Sequence, residues 1–167
     1  MIILGLDPGS RVTGWGVIAP APTSGGWKAV AWGAVRLPAE APHSERIVRL
    51  HAEITTLIAQ HRPAVAAIES SFMSENAMSA LKLGQIRGAL MLTAGLSGLP
   101  VHEYAPRLIK QALSGYGGAE KSQVAKMVRL QLGMREVPAP ADAADALAIA
   151  FTHAMASRLS GLAGRRS

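Results

Sequence analysis

The chain has 167 residues, 49% of them hydrophobic and 17% charged, with no cysteine and a formal net charge of +6 (sequence pI about 10.3). This length supports one domain with a sizeable core, and so large a hydrophobic share excludes a disordered chain. A chain without cysteine has no disulfide, thiolate metal site or cysteine nucleophile, and the basic balance suits a polyanionic partner such as nucleic acid or an acidic membrane surface.

No apolar run approaches the roughly 20 residues that span a bilayer. Residues 1–5 are apolar but carry no basic leader or cleavage site. The expectation is a soluble, cytoplasmic protein. Residues 2–6 read as a buried strand stopped by the turn Asp7-Pro8-Gly9. Residues 13–19 and 27–37 read as two more strands, joined by a Pro/Ser/Gly loop at 20–26. The three form an antiparallel meander.

Residues 44–61 predict a helix, because Ile47, Leu50, Ile54, Leu57 and Ile58 share one face. Ser44 is the expected N-cap, and Pro63 follows the stop. A short strand at 65–68 ends at Glu69, a long helix covers 76–96, and a strand follows at 101–104. Pro106 opens a short helix that ends near Gly115, residues 120–132 form another, and a last helix runs from about 141 to 159. The expected organisation is one domain over 1–159 and a basic flexible tail over 160–167. Three meander strands followed by strand–helix units give an α/β fold, a mixed sheet of about five strands with helices on both faces. That order matches the ribonuclease H-like fold.

Four of the 11 acids fall at chemically suggestive places. Asp7 and Glu69 each end a strand. If those strands are parallel neighbours, both carboxylates lie at one sheet edge, where open α/β sheets place their sites. Asp142 and Asp145, three residues apart in Ala-Asp-Ala-Ala-Asp-Ala, share a face in the first turns of the last helix. Bland readings stand beside these: an Asx turn for Asp7 and helix-start acids for the pair. Glu69 is harder to dismiss, since an unpaired acid after a buried Val-Ala-Ala-Ile run is costly. Gathered carboxylates repel by several kcal/mol at about 4 Å. A hard divalent cation removes that cost, so magnesium or manganese is expected, not zinc. Two such ions about 3.5–4 Å apart can activate a water and stabilise a leaving oxygen.

Several segments together are more specific. Ile-Leu-Gly-Leu-Asp-Pro-Gly-Ser-Arg-Val-Thr-Gly-Trp-Gly-Val-Ile (3–18), Ala-Ile-Glu-Ser-Ser-Phe-Met (67–73) and Asn-Ala-Met-Ser-Ala-Leu-Lys-Leu-Gly-Gln-Ile-Arg-Gly (76–88) resemble motifs of the RuvC family of Holliday-junction resolvases. So do the basic segments at 104–112 and 118–124 and the acidic helix start at 141–150, in family order. The resemblance implies a magnesium-dependent endodeoxyribonuclease of recombination and repair that cuts four-way junctions symmetrically and leaves 5′-phosphates. It makes Asp7, Glu69, Asp142 and Asp145 the metal-binding catalytic set, with two ions (manganese substituting) and Lys121 at the scissile phosphate. It assigns Phe72 to wedging against bases, and Arg11, Asn76, Lys82, Arg87, Lys110 and Lys121 to DNA. A homodimer and cooperation with branch-migration proteins are also implied. Two departures are Ser70, where Gln or Glu is common in the family, and the Pro- and Gly-rich loop at 20–26.

Read alone, Phe72 could be a core aromatic, but polar residues follow Met73 and the chain has only two Phe. Lys110 and Lys121 could be ordinary solvated charges. Tyr116, in the run from Gly115 to Gly118, could sit in a plain connector or in a loop that orders on DNA. Ala80, Gly84 and Gly88 could pack the long helix on its own sheet or against a second copy. Three other functions remain open: a nuclease of the same fold acting on RNA, a sugar-kinase or actin-like nucleotide binder, and a catalytically dead junction-binding module.

Overall fold

The computed structural model describes residues 1–22, 25–70 and 76–163, with side chains to 158. Strands β1 (Ile3–Asp7), β2 (Val12–Pro20) and β3 (Trp27–Arg36) form the antiparallel meander. Strands β4 (Val65–Glu69) and β5 (Val101–Tyr104) add in parallel on the other side of β1, giving the order β3-β2-β1-β4-β5. The mixed five-strand sheet expected from the sequence is present, and its central strand β1 has β4 as its parallel neighbour.

Side-chain alternation divides the core between the two faces of the sheet. On one face Leu4, Leu6, Val17, Val35 and Ile68 meet Leu50, Ile54 and Ile58 of α1 (His43–His61) and Ile86 and Leu90 of α2 (Ala77–Leu96). On the other face Ile3, Ile18, Trp27, Val65, Ala67 and Tyr104 meet three helices. These are α3 (Pro106–Ser114), α4 (Lys121–Gln131) and α5 (Ala141–Ala163). Among the described residues no helix is long and apolar enough to cross a membrane.

Two boundaries differ from expectation. Helix α1 begins at His43 behind Pro42, and no side chain caps it, so Ser44 lies inside the first turn. The entry is held instead by Arg46, whose Nε donates to the Ala41 carbonyl at 2.9 Å. Helix α5 continues to Ala163, past Ser160-Gly161. One interior glycine costs a helix only about 1 kcal/mol relative to alanine.

Helix α5 packs on β1, β2, β3 and β4, and three glycines decide how closely. A Cβ on Gly5 would lie 2.0 Å from the Ala146 carbonyl oxygen, and one on Gly14 would lie 2.0 Å from that of Asp142. A Cβ on Gly16 would lie 2.7 Å from Leu147 Cγ. The helix backbone therefore rests directly on the sheet, and its first turns reach the edge where β1 ends.

Candidate active site

Asp7 is two steps along β1 from Gly5 and four from Ile3, so it points to the α5 face. Glu69 has the same relation to Val65 and Ala67 on β4. Leu6 pairs with Ile68, and continuing that register by one residue sets Asp7 beside Glu69. Asp145 descends onto the same spot from α5. With Lys110 of α3 and Lys121 of α4, these three acids line a cleft of about 300 Å³ whose apolar wall is Pro106, Ile109 and Val124. Lys121 Nζ donates to Asp145 Oδ2 at 2.9 Å. A larger hollow of about 710 Å³ lies between β3 and residues 132–139, with Trp32 and Met134 in its wall. Its only acid is Glu136, so size does not mark the chemistry here.

Asp142 stands apart from its partners. It is half-buried at the start of α5, its backbone against Gly14, and it is not part of the cleft wall. Its charge still reaches Asp7, as the weakest of the influences on that group.

Burial is the largest cause that pushes the Asp7 carboxyl up to about 8, followed by Asp145 and Glu69, with Lys121 opposing. Burial and then Asp145 also raise Glu69, against Lys121 and Lys110. The hydrogen bond to Asp145 holds Lys121 above the ordinary lysine range. The acids are thus gathered against their own repulsion, and the two lysines offset only part of it.

The donor set fits a hard divalent cation: carboxylate oxygens, no thiolate, and no imidazole in the cleft wall. Among the described residues no three acids or histidines already converge on one point, and Lys121 occupies the Asp145 carboxylate. Holding an ion would require these side chains to turn inward.

The expected DNA contacts are placed unevenly. Lys110 lines the cleft, whereas Arg11 and Lys82 are exposed. Asn76 caps α2, its Oδ1 accepting the Ser79 N–H at 2.9 Å. Arg87 has a side chain only 11% exposed, pairs with Glu103, and donates from Nε to the Glu69 carbonyl at 3.3 Å. That geometry makes it a brace for the end of β4. Ser70 continues β4, its N–H donating to the Tyr104 carbonyl at 2.9 Å. Phe72 lies outside the described residues.

Sequence reasoning missed Gly5, Gly14 and Gly16 as positioning residues, and Pro106 and Ile109 as cleft wall. The glycines did leave a signal, since all three interrupt strands otherwise rich in apolar residues.

The chain matches the family described as crossover junction endodeoxyribonuclease RuvC over residues 3–153. It is 46% identical to the protein of that name from Chloroflexus aurantiacus over 154 residues, 92% of this chain and 93% of the relative. The Heliobacterium modesticaldum protein of the same name is 45% identical over 151 residues, covering 90% and 92%. Thermus thermophilus RuvC superposes with a TM-score of 0.87 at 38% identity, over 96% of this chain and 97% of that one. The same protein in complex with Holliday junction substrate gives 0.85 at 36% identity, over 95% and 96%. With a family match over residues 3–153 and identity of this level over 90% or more of the chain, the chain belongs to the RuvC family of crossover junction endodeoxyribonucleases.

Proposed function

We propose that this chain is a structure-selective endonuclease that resolves Holliday junctions, hydrolysing one phosphodiester in each of two symmetric strands. The observation that carries the reading is the cleft itself, where Asp7, Glu69, Asp145 and two lysines meet at the ends of parallel strands. The relatives' name and the junction-bound Thermus structure support the substrate.

Asp7, Glu69 and Asp145, with Asp142 completing the set from the start of α5, would hold magnesium or manganese, two ions per site. Such an ion supplies neutralisation of the acids, polarisation of the phosphate and a water acidic enough to attack near neutral pH. Asp7 and Glu69 fix the face from which water reaches phosphorus. Lys121, its side chain 83% exposed, lays positive charge against the phosphate as negative charge develops. Attack in line with the 3′ oxygen breaks the P–O3′ bond and leaves a 5′-phosphate and a 3′-hydroxyl. Lys110, Arg11, Lys82 and Asn76 border the DNA, and Phe72 is assigned to the opened bases. Arg87 acts as a brace.

Two symmetric cuts call for two sites, and α2 supports a homodimer. Ile86, Leu90, Thr93 and Ala94 bury one face of it. On the opposite face Met78, Leu81, Leu92 and Leu96 are exposed, and a Cβ on Gly84 or Gly88 would meet nothing within 4 Å. A helix apolar all round is ordinarily covered on both sides, and here the cover is a second copy. The nuclease domain is assigned to residues 1–159, with 160–167 as a basic extension. Branch-migration proteins are its assigned pathway partners.

The deciding experiment is magnesium-dependent cleavage of a synthetic mobile four-way junction beside linear duplex and an RNA–DNA hybrid. Paired symmetric nicks in the junction alone, lost with Asp7→Asn, are expected. Cutting of the hybrid instead would remove the junction assignment.

A further inference from the structure

The segment between α3 and α4 holds side chains that the cleavage chemistry does not use. Gly115 takes a left-handed conformation (φ 74°) as it closes α3, its N–H donating to the Gln111 carbonyl at 2.9 Å. Ser114 Oγ accepts the Tyr116 N–H at 3.3 Å. It also lies within donating reach of the Lys110 and Tyr116 carbonyls, at 2.7 and 2.9 Å. The turn is thereby fixed, and Tyr116 at its tip is 69% exposed. A large aromatic ring held in water by a rigid turn gains little from the core, so its apolar face is available to a ligand.

Two glycines shape the surroundings of that ring. A Cβ on Gly118 would lie 2.6–2.7 Å from the Tyr116 ring, and one on Gly117 would lie 2.6 Å from Arg107 Cγ. Both side chains therefore lie flat along the turn, where any other residue would lift them. With Gln111 they border a hollow of about 340 Å³. Arg107 takes part in neither ion pair found among the described residues. The hollow thus presents a phenol ring, a guanidinium plane and a carboxamide. Aromatic and guanidinium planes stack on nucleobases, and guanidinium and carboxamide groups read base edges.

The location is favourable as well. Lys110, on the same helix as Arg107, lines the acidic cleft, and Lys121, five residues after Tyr116, pairs with Asp145. A chain of that length spans at most about 18 Å, which is about five base steps along one strand.

We propose that Tyr116, Arg107 and Gln111 form a nucleobase subsite that takes one base of the bound DNA strand within a few steps of the cut. The inference rests on the nuclease reading and deepens it, making this loop a determinant of where cleavage occurs.

The test uses the full-length protein and four-way junctions carrying 2-aminopurine at successive positions around the cut, bound in calcium and cleaved in magnesium. One position should change fluorescence on binding of the wild type and of Asp7→Asn. Tyr116→Ala should abolish that change, weaken single-turnover cleavage about fivefold or more and flatten the preference among cut positions. Tyr116→Phe and Tyr116→Trp should restore all three. Gly118→Ala, which keeps the tyrosine but displaces its ring, should behave like Tyr116→Ala while its circular dichroism matches wild type. If Tyr116→Ala binds, cuts and reports fluorescence as wild type does, the subsite is overturned and the nuclease reading stands. If the wild type neither binds nor cuts the junction, both fall.

Discussion

Replacing Asp7 by Asn removes one charge from the cleft and keeps the shape of the side chain. In the metal-free protein burial, then Asp145, then Glu69 push the Asp7 carboxyl up to about 8, from an ordinary 3.8. Between those values the folded chain binds a proton that the unfolded chain releases. The stability this group contributes is therefore full below about pH 4 and is lost as pH rises towards 8. Each pH unit is worth about 1.4 kcal/mol, so at pH 7 the loss has an upper bound of about 4 kcal/mol. Asparagine carries no such pH-dependent loss. At roughly 2–4 °C per kcal/mol for a chain of this size, and allowing for relaxation around the carboxylate, Asp7→Asn should melt about 5–10 °C above wild type at pH 7.5 in EDTA. The difference should vanish near pH 4. Magnesium should then reverse the order, because only the intact acid set gains stability from the ion. Calorimetry from pH 4 to 8, with and without magnesium, reads all of this. A variant that melts at or below wild type at pH 7.5 in EDTA, or a difference flat with pH, would refute the reasoning.

Gly14→Ala places a methyl group 2.0 Å from the backbone oxygen of Asp142, which a side-chain rotation cannot relieve. Cleavage should fall about a hundredfold, the effect of misplacing catalytic groups by about 1 Å, while junction binding measured in calcium stays within a few-fold. The joint change Leu81→Glu and Leu92→Glu, at residues 57% and 62% exposed, should leave the melting temperature of the chain nearly unmoved. It should give a monomer by analytical ultracentrifugation and unpaired nicks in place of symmetric ones.

Much of the site was legible because strand parity is a local rule. Asp7 and Glu69 both end short apolar runs, and a parallel pairing of those runs was enough to bring them together. The four-residue strand at Val101 and the break at Pro106 were equally local signals. What stayed hidden depends on pieces far apart in sequence. The depth at which α5 sits is set by Gly5, Gly14 and Gly16, and only the packed structure shows what a side chain at those positions would strike. Spacing on α5 left open which of Asp142 and Asp145 contributes more; one turn of helix carries Asp145 into the cleft and leaves Asp142 against β2. Lys121 taken alone reads as a solvated charge, and the resemblance placed it at the scissile phosphate; its partner Asp145 shows only once α4 is laid across α5. The contacts of Arg87 to Glu103 and to the Glu69 backbone were likewise invisible in the sequence, since they join α2 to the ends of β4 and β5. Ser44 was misjudged as a cap because the helix starts one residue earlier, at His43 behind Pro42, which puts Ser44 inside the first turn.

The descent of α5 onto glycine-notched strands also orders events in time. Asp7 leaves the ribosome 138 residues before Asp145 (145 − 7), a delay of roughly 7 to 28 seconds at 5–20 residues per second. Until the last helix docks, the strand ends carry two acids without the aspartate and lysine pair that completes the cleft. An unfinished copy therefore lacks a complete cleft, and the ability to cut DNA arrives only with the closing of the core.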